Sequence, residues 1–265
     1  MMVHARGQAP FSFRKDYNRV MSKEKILGKL NPLYFEGIAH RGLWNASLTE
    51  NGLKAFQNAI DHHTAFEYDI HLTKDGQLVV CHDDNLIRTT GKEGIIEELT
   101  LQQIKDGYRL LDGEEVPSFK ELLSLNHEQV PMVCELKVHE ANYAPLAKAA
   151  MLAFRKVENR ANLWVISFDP RALLRIHGYQ RGLLVCKEHL WTLKLRHLFE
   201  SLDMEDVLVS RPEVVSFRKH HPVNTWTIES AQQAEKALPF VDTLTFQKLD
   251  EQVIKTLFNK ETAKR

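Results

Sequence analysis

Apolar residues along the chain recur in short runs, separated by longer segments in which the apolar positions have helical spacing. The runs begin near residues 38, 66, 131, 163, 183, 207, 223 and 241. Eight β-rich runs that alternate with amphipathic segments are typical of a closed parallel barrel. The main alternative is an open doubly wound sheet, but no glycine-rich nucleotide loop follows the first run. We therefore predict a TIM (β/α)8 barrel, in the α/β class.

The second run carries polar residues at alternate positions. Glu67, Asp69 and His71 share one face of the predicted strand, and the apolar residues between them share the other. A turn at 74–76 then predicts a hairpin whose returning leg carries His82 back toward the two carboxylates. An edge strand that meets water would explain the alternation alone. The convergence of carboxylates and an imidazole favours a metal and acid–base site instead. His71 lies in the hairpin leg, where we expect it to be exposed.

Two segments do not fit a simple barrel repeat. The interval at about 84–117 is longer than a crossover needs, which predicts a small insertion and hairpin between the second and third barrel strands, above the active-site mouth. Residues 1–35 carry seven basic residues against Asp16 and Glu24. We interpret them as an N-terminal extension without a catalytic role, ahead of a barrel domain at 36–260. A targeting peptide or an upstream translation start before Met21 are the alternatives.

The overall composition narrows the class of partner and compartment. Lys plus Arg and Asp plus Glu both number 35, which gives no charge excess for nucleic acid or an anionic membrane. Cys81, Cys134 and Cys186 show no metal or disulfide spacing. No apolar stretch approaches the roughly 20 residues of a membrane span, and none resembles a signal-peptide core. We expect a cytoplasmic protein without an integral membrane segment; the oligomeric state stays open.

Charged and imidazole groups cluster at the predicted carboxyl ends of the strands, which share one rim in a parallel barrel. These residues are His40, Arg41, Glu67, Asp69, Glu135, Lys137 and Ser167. Three carboxylates without a cysteine partner suit Mg²⁺ or Ca²⁺ better than zinc. Arg41 and Lys137 supply anion donors for a phosphate ester. His40 and His82 are candidates for an acid and base pair.

The motifs IAHRG, LTEN, EYDIHLTKDGQLVVCHD, IRTTG, CELK, ISFDP and NTWTIE occur in this order from about residue 37 to 229. In this set the sequence resembles the glycerophosphodiester phosphodiesterase family. The resemblance implies that Glu67, Asp69 and Glu135 hold a divalent cation, that His40 and His82 are catalytic, and that Arg41 and Lys137 bind phosphate. Trp226 matches the tryptophan of the family's seventh strand, which makes it a candidate to line the substrate site, although a core role is at least as compatible. Phe246 departs from the family's threonine–aspartate at the last strand, which puts that strand's contribution to the rim in doubt.

The resemblance implies metal-dependent hydrolysis of glycerophosphodiesters, such as glycerophosphocholine or glycerophosphoethanolamine, to glycerol 3-phosphate and an alcohol. Which histidine is the acid and which the base stays open. The alternative within the family is lysophospholipase D-type cleavage of lysophospholipids, which an apolar patch on the rim would favour. From another class, the barrel would bind a phosphorylated ligand without catalysis. A related barrel family, the sphingomyelinase D type, is disfavoured because its members are usually secreted and disulfide-bonded.

Overall fold

The computed structural model describes residue 23 and residues 27–263 of the chain. Eight parallel strands close into a barrel, in which β1 pairs with both β2 and the last strand, β9. The barrel strands are β1 (Ile38–Ala39), β2 (Ala65–Leu72), β4 (Met132–Leu136), β5 (Leu163–Ser167), β6 (Gln180–Val185), β7 (Ser201–Glu205), β8 (Val223–Ile228) and β9 (Thr243–Phe246). The ninth strand, β3 (Leu78–Val80), pairs antiparallel with the end of β2. The predicted TIM barrel is confirmed.

Helices cover the outside of the barrel. In the described part of the chain the α-helices are α1 (Leu53–Asp61), α2 (Ile87–Thr90), α3 (Leu101–Gly107), α4 (Phe119–Asn126), α5 (Tyr143–Phe154), α6 (Pro170–Leu173), α7 (Pro212–Arg218), α8 (Ala231–Ala237) and α9 (Glu251–Thr262). Local chemistry fixes several starts. Thr100 and Ser118 form capping boxes at α3 and α4, and proline opens α6 and α7.

Between β2 and β4 the chain makes a hairpin and then runs through short helices. The turn is closed by the Thr73 amide, which donates to the Gln77 carbonyl at 2.9 Å, and Gly76 adopts the left-handed φ of 77° that the turn needs. After β3 come α2, a 3-10 helix at Ile96–Glu98, and α3. These elements pack around a small apolar cluster of their own that includes Val79, Leu86 and Ile96.

The strand period of two separates the two cores of the protein. Outward residues such as Phe66 and Tyr68 pack beneath the helices in the large core. A second cluster, which includes Val133, Trp164 and Leu184, alternates with them and fills the barrel interior toward its amino-terminal end. The inward polar residues of β2 and β4 point into the same interior, above this cluster and nearer the carboxyl ends of the strands.

A 3-10 helix at Pro32–Glu36 closes the amino-terminal end of the barrel. Tyr34 is fully buried, donates its hydroxyl to the Met132 carbonyl at 2.7 Å, and packs edge-on against Trp164 with ring centroids 5.6 Å apart. The described end of the predicted extension is therefore packed against the barrel. Residues 1–22 and 24–26 of that extension lie outside the described residues. Within the described chain, no helix has both the length and the apolar composition required to cross a membrane.

One predicted strand is wrong. Residues 207–210 do not form β7, which lies at Ser201–Glu205; Asp206–Leu208 is a 3-10 helix instead. The true strand was hidden because its inward positions, Ser201 and Asp203, are polar but fully buried.

Candidate active site

Three carboxylates meet inside the carboxyl-terminal mouth of the barrel. Glu67 and Asp69 come from β2 and Glu135 from β4, and the strand register places Asp69 directly beside Glu135. One oxygen of each carboxylate lies within 4.8 Å of the other two, and all three side chains are buried. Glu67 and Glu135 are 68 positions apart in the sequence, and they meet because both point inward from two paired strands.

Two cations face this cluster. Lys137 Nζ donates to Glu135 Oε1 at 2.9 Å and lies 3.5 Å from Asp69 Oδ1. Arg41 Nε lies 3.7 Å from Asp69 Oδ2, and the Arg41 amide donates to Glu67 Oε2 at 3.0 Å. The amide can reach because Arg41 and Gly42 both have positive φ, 60° and 83°, in a tight turn after β1. The two predicted phosphate-binding residues therefore lie at the acidic cluster.

Burial and mutual repulsion govern the protonation of the three carboxyls. Burial, followed by the charges of Asp69 and Glu135, raises the pKa of Glu67 well above its usual value. Burial also raises the pKa of Glu135 to about 7, although Lys137 opposes the shift. Burial acts in the same direction on Asp69, but Lys137, His82 and Arg41 outweigh it and lower that pKa. The cluster is an electrostatically costly arrangement that one more cation would relieve.

The donor set fits a hard divalent cation. Glu67 Oε1 and Asp69 Oδ1 are buried and have no hydrogen-bond partner in the structure. Buried carboxylate oxygens that accept no hydrogen bond are costly, and oxygen ligands without sulfur or nitrogen suit Mg²⁺ or Ca²⁺. Glu67, Asp69 and Glu135 are therefore the residues that would hold such an ion.

His40 and His82 both line a small cavity at this cluster. The cavity is about 90 Å³ and is also lined by Arg41, Glu67 and Glu135. His40 Nε2 lies 3.9 Å from Glu67 Oε2. Burial, followed by the charge of Arg41, lowers the pKa of His40 to about 4. Burial also lowers the pKa of His82. The two histidines, the two cationic residues and the three carboxylates to which the resemblance assigned roles are thus brought to one opening of the barrel.

His71 is not exposed, contrary to the expectation from the sequence. It is 3% exposed, its Nδ1 lies 2.7 Å from Glu97 Oε1, and its Nε2 lies 3.2 Å from the carbonyl oxygen of His82. The hairpin pairs His71 with Val79, and the contacts with Glu97 and the His82 carbonyl hold the ring in place. His71 therefore ties the backbone of a candidate catalytic residue to the segment around Glu97.

Loop residues complete the site, and the sequence patterns did not assign roles to them. Asn51 is buried, and its Nδ2 donates to Asp69 Oδ2 at 2.9 Å. Glu50 Oε1 accepts from Arg41 at 2.7 Å and from Arg88 at 2.8 Å. The one available signal was the LTEN motif, which ends in Glu50 and Asn51.

The last strand does contribute to the rim. Thr245 points inward and lines the small cavity, whereas Phe246, 1% exposed, points outward into the helix-covered core. The residue after it, Gln247, places Oε1 2.7 Å from His40 Nδ1. Trp226 also lines the cavity, donates to the Asp203 carbonyl at 3.1 Å, and stands edge-on to Phe168 at 5.6 Å.

A larger open cleft adjoins this cavity. It has a volume of about 680 Å³, shares His82, Glu135 and Phe168 with the small cavity, and is also lined by Lys137. Its wall also includes Trp191, which is 60% exposed. The cleft provides room for a substituent attached to a group held at the carboxylates.

A (β/α)8 barrel that gathers carboxylates, two cations and two imidazoles at the carboxyl ends of its strands has the construction of a hydrolase acting on phosphate esters. Comparison with known proteins makes this class specific. The sequence profile described as "Glycerophosphoryl diester phosphodiesterase family" matches residues 40–250. The chain belongs to this family, as its motifs predicted.

Individual relatives agree with the family assignment. The chain is 28% identical over 222 residues to the glycerophosphodiester phosphodiesterase of Caldanaerobacter subterraneus subsp. tengcongensis, an alignment covering 76% of this chain and 88% of that protein. The crystal structure of a glycerophosphodiester phosphodiesterase from Parabacteroides distasonis is similar, with a TM-score of 0.71 and 26% identity, over 84% of this chain and 96% of the other.

A third comparison shares the fold at lower identity. An Oleispira antarctica phosphodiesterase, solved in complex with the product sn-glycerol-3-phosphate, has a TM-score of 0.75 and 22% identity, over 88% of this chain and 99% of that one. Several other curated relatives are matched over a smaller part, and the chain spans about half of their length.

Proposed function

We propose that the protein hydrolyses glycerophosphodiesters, such as glycerophosphocholine or glycerophosphoethanolamine, to glycerol 3-phosphate and the free alcohol. The observation that carries the proposal is the meeting of three buried carboxylates within 4.8 Å, with Arg41 and Lys137 against them and two histidines lining the same cavity. The name of the Oleispira complex, which states sn-glycerol-3-phosphate as the product of that protein, supports the same product here.

A divalent cation, Mg²⁺ or Ca²⁺, held by Glu67, Asp69 and Glu135 would neutralise charge on the phosphate diester. Arg41 and Lys137 bind phosphate oxygens, exchanging part of their present contacts with carboxylates for contacts with substrate. Because both side chains are mostly buried, at 13% and 16% exposed, the electrostatic attraction for a phosphate is only weakly screened by water. Trp226 and Phe168 form an apolar wall beside the reacting group.

His40 and His82 act as the acid and base. One removes the proton of the glycerol 2-hydroxyl while that oxygen attacks phosphorus, and the other protonates the departing alcohol oxygen. The cyclic phosphate that results is opened by water with the two proton transfers reversed. The free thiols of Cys81, Cys134 and Cys186 support a reducing compartment, and we propose the cytoplasm.

The test is a panel of glycerophosphodiesters assayed with Mg²⁺, with Ca²⁺ and with EDTA. We expect turnover that EDTA abolishes and that added metal restores. His40→Ala and His82→Ala should each lower kcat by about 10²- to 10⁴-fold. The exposed His177 offers a matched control, and His177→Ala should change kcat by less than about twofold. Turnover undiminished by EDTA contradicts the metal assignment, and the absence of turnover with every metal favours the non-catalytic, ligand-binding alternative.

The open cleft favours one second candidate, lysophospholipase D-type cleavage. The exposed indole of Trp191 and the ring of Phe168 lie in the wall of a 680 Å³ cleft that reaches Lys137. An acyl chain needs apolar wall of this kind outside the phosphate site. Comparing kcat/KM for lysophosphatidylcholine and glycerophosphocholine decides between the two. A Trp191→Ala substitution should lower only the lysophospholipid activity if that candidate is correct.

A further inference from the structure

The two histidines of the site are held by different partners at Nδ1. His82 Nδ1 lies 2.6 Å from Asp83 Oδ1, and the other oxygen of this carboxylate accepts from Arg88 Nε. His40 Nδ1 lies 2.7 Å from Gln247 Oε1, an uncharged amide oxygen. The Nδ1 atom of His82 therefore faces an anion, and the Nδ1 atom of His40 faces a neutral group. This difference affects whether each imidazole can donate or accept a proton at Nε2.

The orientation of the Gln247 side-chain amide is fixed by Glu229. Gln247 Nε2 donates to Glu229 Oε1, and Lys248 Nζ donates to the same oxygen at 3.1 Å. An ionised carboxylate only accepts hydrogen bonds, so the amide nitrogen has to face Glu229 and the amide oxygen has to face His40. An amide oxygen also only accepts. His40 Nδ1 therefore carries a proton, and the lone pair of the neutral ring is on Nε2.

The free Nε2 of His40 is on the side of the acidic cluster, 3.9 Å from Glu67 Oε2. A nitrogen with a lone pair in that position can accept a proton from a hydroxyl group bound at the cluster. At the other histidine, the Asp83 carboxylate beside Nδ1 compensates the charge of an imidazolium, which is the form that donates a proton from Nε2.

Backbone pairing holds His40 and Gln247 in this relation. The His40 amide donates to the Phe246 carbonyl at 2.8 Å, and the Gln247 amide donates to the Ile228 carbonyl at 3.0 Å. Because Thr245 points inward and Phe246 outward, Gln247 is the first residue past the strand that can turn back to the rim. The contact is thus built from strand ends and does not depend on a long, mobile loop.

We propose that Gln247, oriented by Glu229, is the positioning residue that keeps His40 as the general base, and that His82, backed by Asp83, is the general acid. The assignment rests on the proposed function. In the first step the glycerol 2-hydroxyl loses its proton to His40 Nε2 as its oxygen forms a bond to phosphorus. The phosphorus–oxygen bond to the alcohol breaks, and the alcohol oxygen keeps the electron pair and takes the proton from His82 Nε2.

Leaving-group dependence tests the two roles. A 4-nitrophenolate leaving group needs no proton, whereas choline does. We expect His82→Ala to lose about 10²- to 10⁴-fold in kcat on glycerophosphocholine but less than about 10-fold on glycerol 3-(4-nitrophenyl phosphate), and His40→Ala to lose comparably on both. The reverse pattern, with His40→Ala rescued by the activated leaving group, overturns the assignment.

Variants of Gln247 test the positioning role. Gln247→Met preserves the length of the side chain without the acceptor and should lower kcat by about 10-fold on both substrates, with KM within about twofold. The double variant Gln247→Glu with Glu229→Gln restores an acceptor to His40 and a donor behind it, and should recover kcat to within about threefold of wild type. Gln252→Met, on an exposed residue of α9, is the control. Equal losses in the single and double variants contradict the proposal.

A spectroscopic measurement decides the question without turnover. In ¹⁵N-histidine-labelled protein, with the His40 signals identified by their loss in His40→Ala, wild type should show the Nδ1–H form and Gln247→Met a mixture with Nε2–H. An Nε2–H form in wild type refutes the positioning role. If wild type hydrolyses no glycerophosphodiester, the proposed function fails, and this measurement still decides what Gln247 does to His40.

Discussion

Replacing Asp203 by asparagine should stabilise the protein, and the gain should grow with pH. Asp203 points into the barrel, fully buried; its Oδ1 accepts from Asn224 Nδ2 at 2.8 Å, and its Oδ2 has no hydrogen-bond partner. Burial, opposed by that one hydrogen bond, raises the pKa of Asp203 from 3.8 to about 7. Asparagine can accept the same bond from Asn224 and has no proton to lose.

The magnitude follows from linkage. Below about pH 4 the carboxyl is neutral in the folded and unfolded chains, and its contribution to stability is fully present. As pH rises toward 7 only the unfolded chain releases the proton, so the native state is progressively penalised. The difference between 3.8 and about 7 corresponds to about 4 kcal/mol, at about 1.4 kcal/mol per pH unit. Between about pH 5 and about pH 8 this predicts an increase of about 3 kcal/mol in the advantage of Asp203→Asn.

The assay is urea unfolding of both proteins at these two pH values, followed by circular dichroism. Asp106→Asn, on an exposed aspartate of α3, controls for the loss of one negative charge and should show no such pH-dependent gain. An advantage for Asp203→Asn that stays constant from pH 5 to pH 8 would refute the reasoning, because the carboxyl would then have the same protonation in both states.

Three further substitutions test other contacts. His71→Ala should fold normally but lower kcat by about 3- to 10-fold, because His71 contacts the carbonyl oxygen of His82. Steady-state kinetics should show this loss with KM unchanged. A His71→Ala variant with the kcat of wild type would contradict the prediction. Gly182→Ala should lower the free energy of unfolding in urea by about 1–3 kcal/mol, because a Cβ there would lie 2.1 Å from Asp203 Oδ2. Gly107→Ala is the control and should be tolerated, because its Cβ would meet only the end of the Lys92 side chain. Phe246→Ala should cost about 3–5 kcal/mol while kcat per folded molecule stays within about twofold; a large loss of kcat would mean that Phe246 supports the rim as well as the core.

Periodicity was sufficient to predict the barrel and the acidic cluster. The alternation of Glu67 and Asp69 with apolar residues gives the inward face of β2, and the parallel arrangement places Glu135 beside it. The same rule failed at β7, where Ser201 and Asp203 are inward and polar, while the apolar run after them is a 3-10 helix. Strands are predicted from the alternation of apolar and polar residues along the chain, and this pattern is unreliable where the side chains inside the barrel are polar as well.

Residues that support the catalytic candidates were not predictable in the same way. His71 is buried because the insertion places Glu97 beside it, and Gln247 contacts a histidine 207 positions away. Neither contact has a local sequence pattern, since each side chain lies at the end of a regular element and meets a partner delivered by another part of the chain. Tertiary placement alone determines their surroundings, so a sequence pattern identifies the charged centre of such a site more readily than its supports.

The aromatic ring of Tyr34 closes the amino-terminal end of the barrel. Its hydroxyl and its carbonyl are both engaged by strands, the first by Met132 and the second by the Thr243 hydroxyl. A shortened protein starting at residue 37 would keep every catalytic candidate, but Trp164 would lose the ring that packs against it, and the Met132 carbonyl and the Thr243 hydroxyl would each lose a hydrogen bond. A shortened variant of this protein should therefore keep the 3-10 helix at Pro32–Glu36, since that helix closes the amino-terminal end of the barrel.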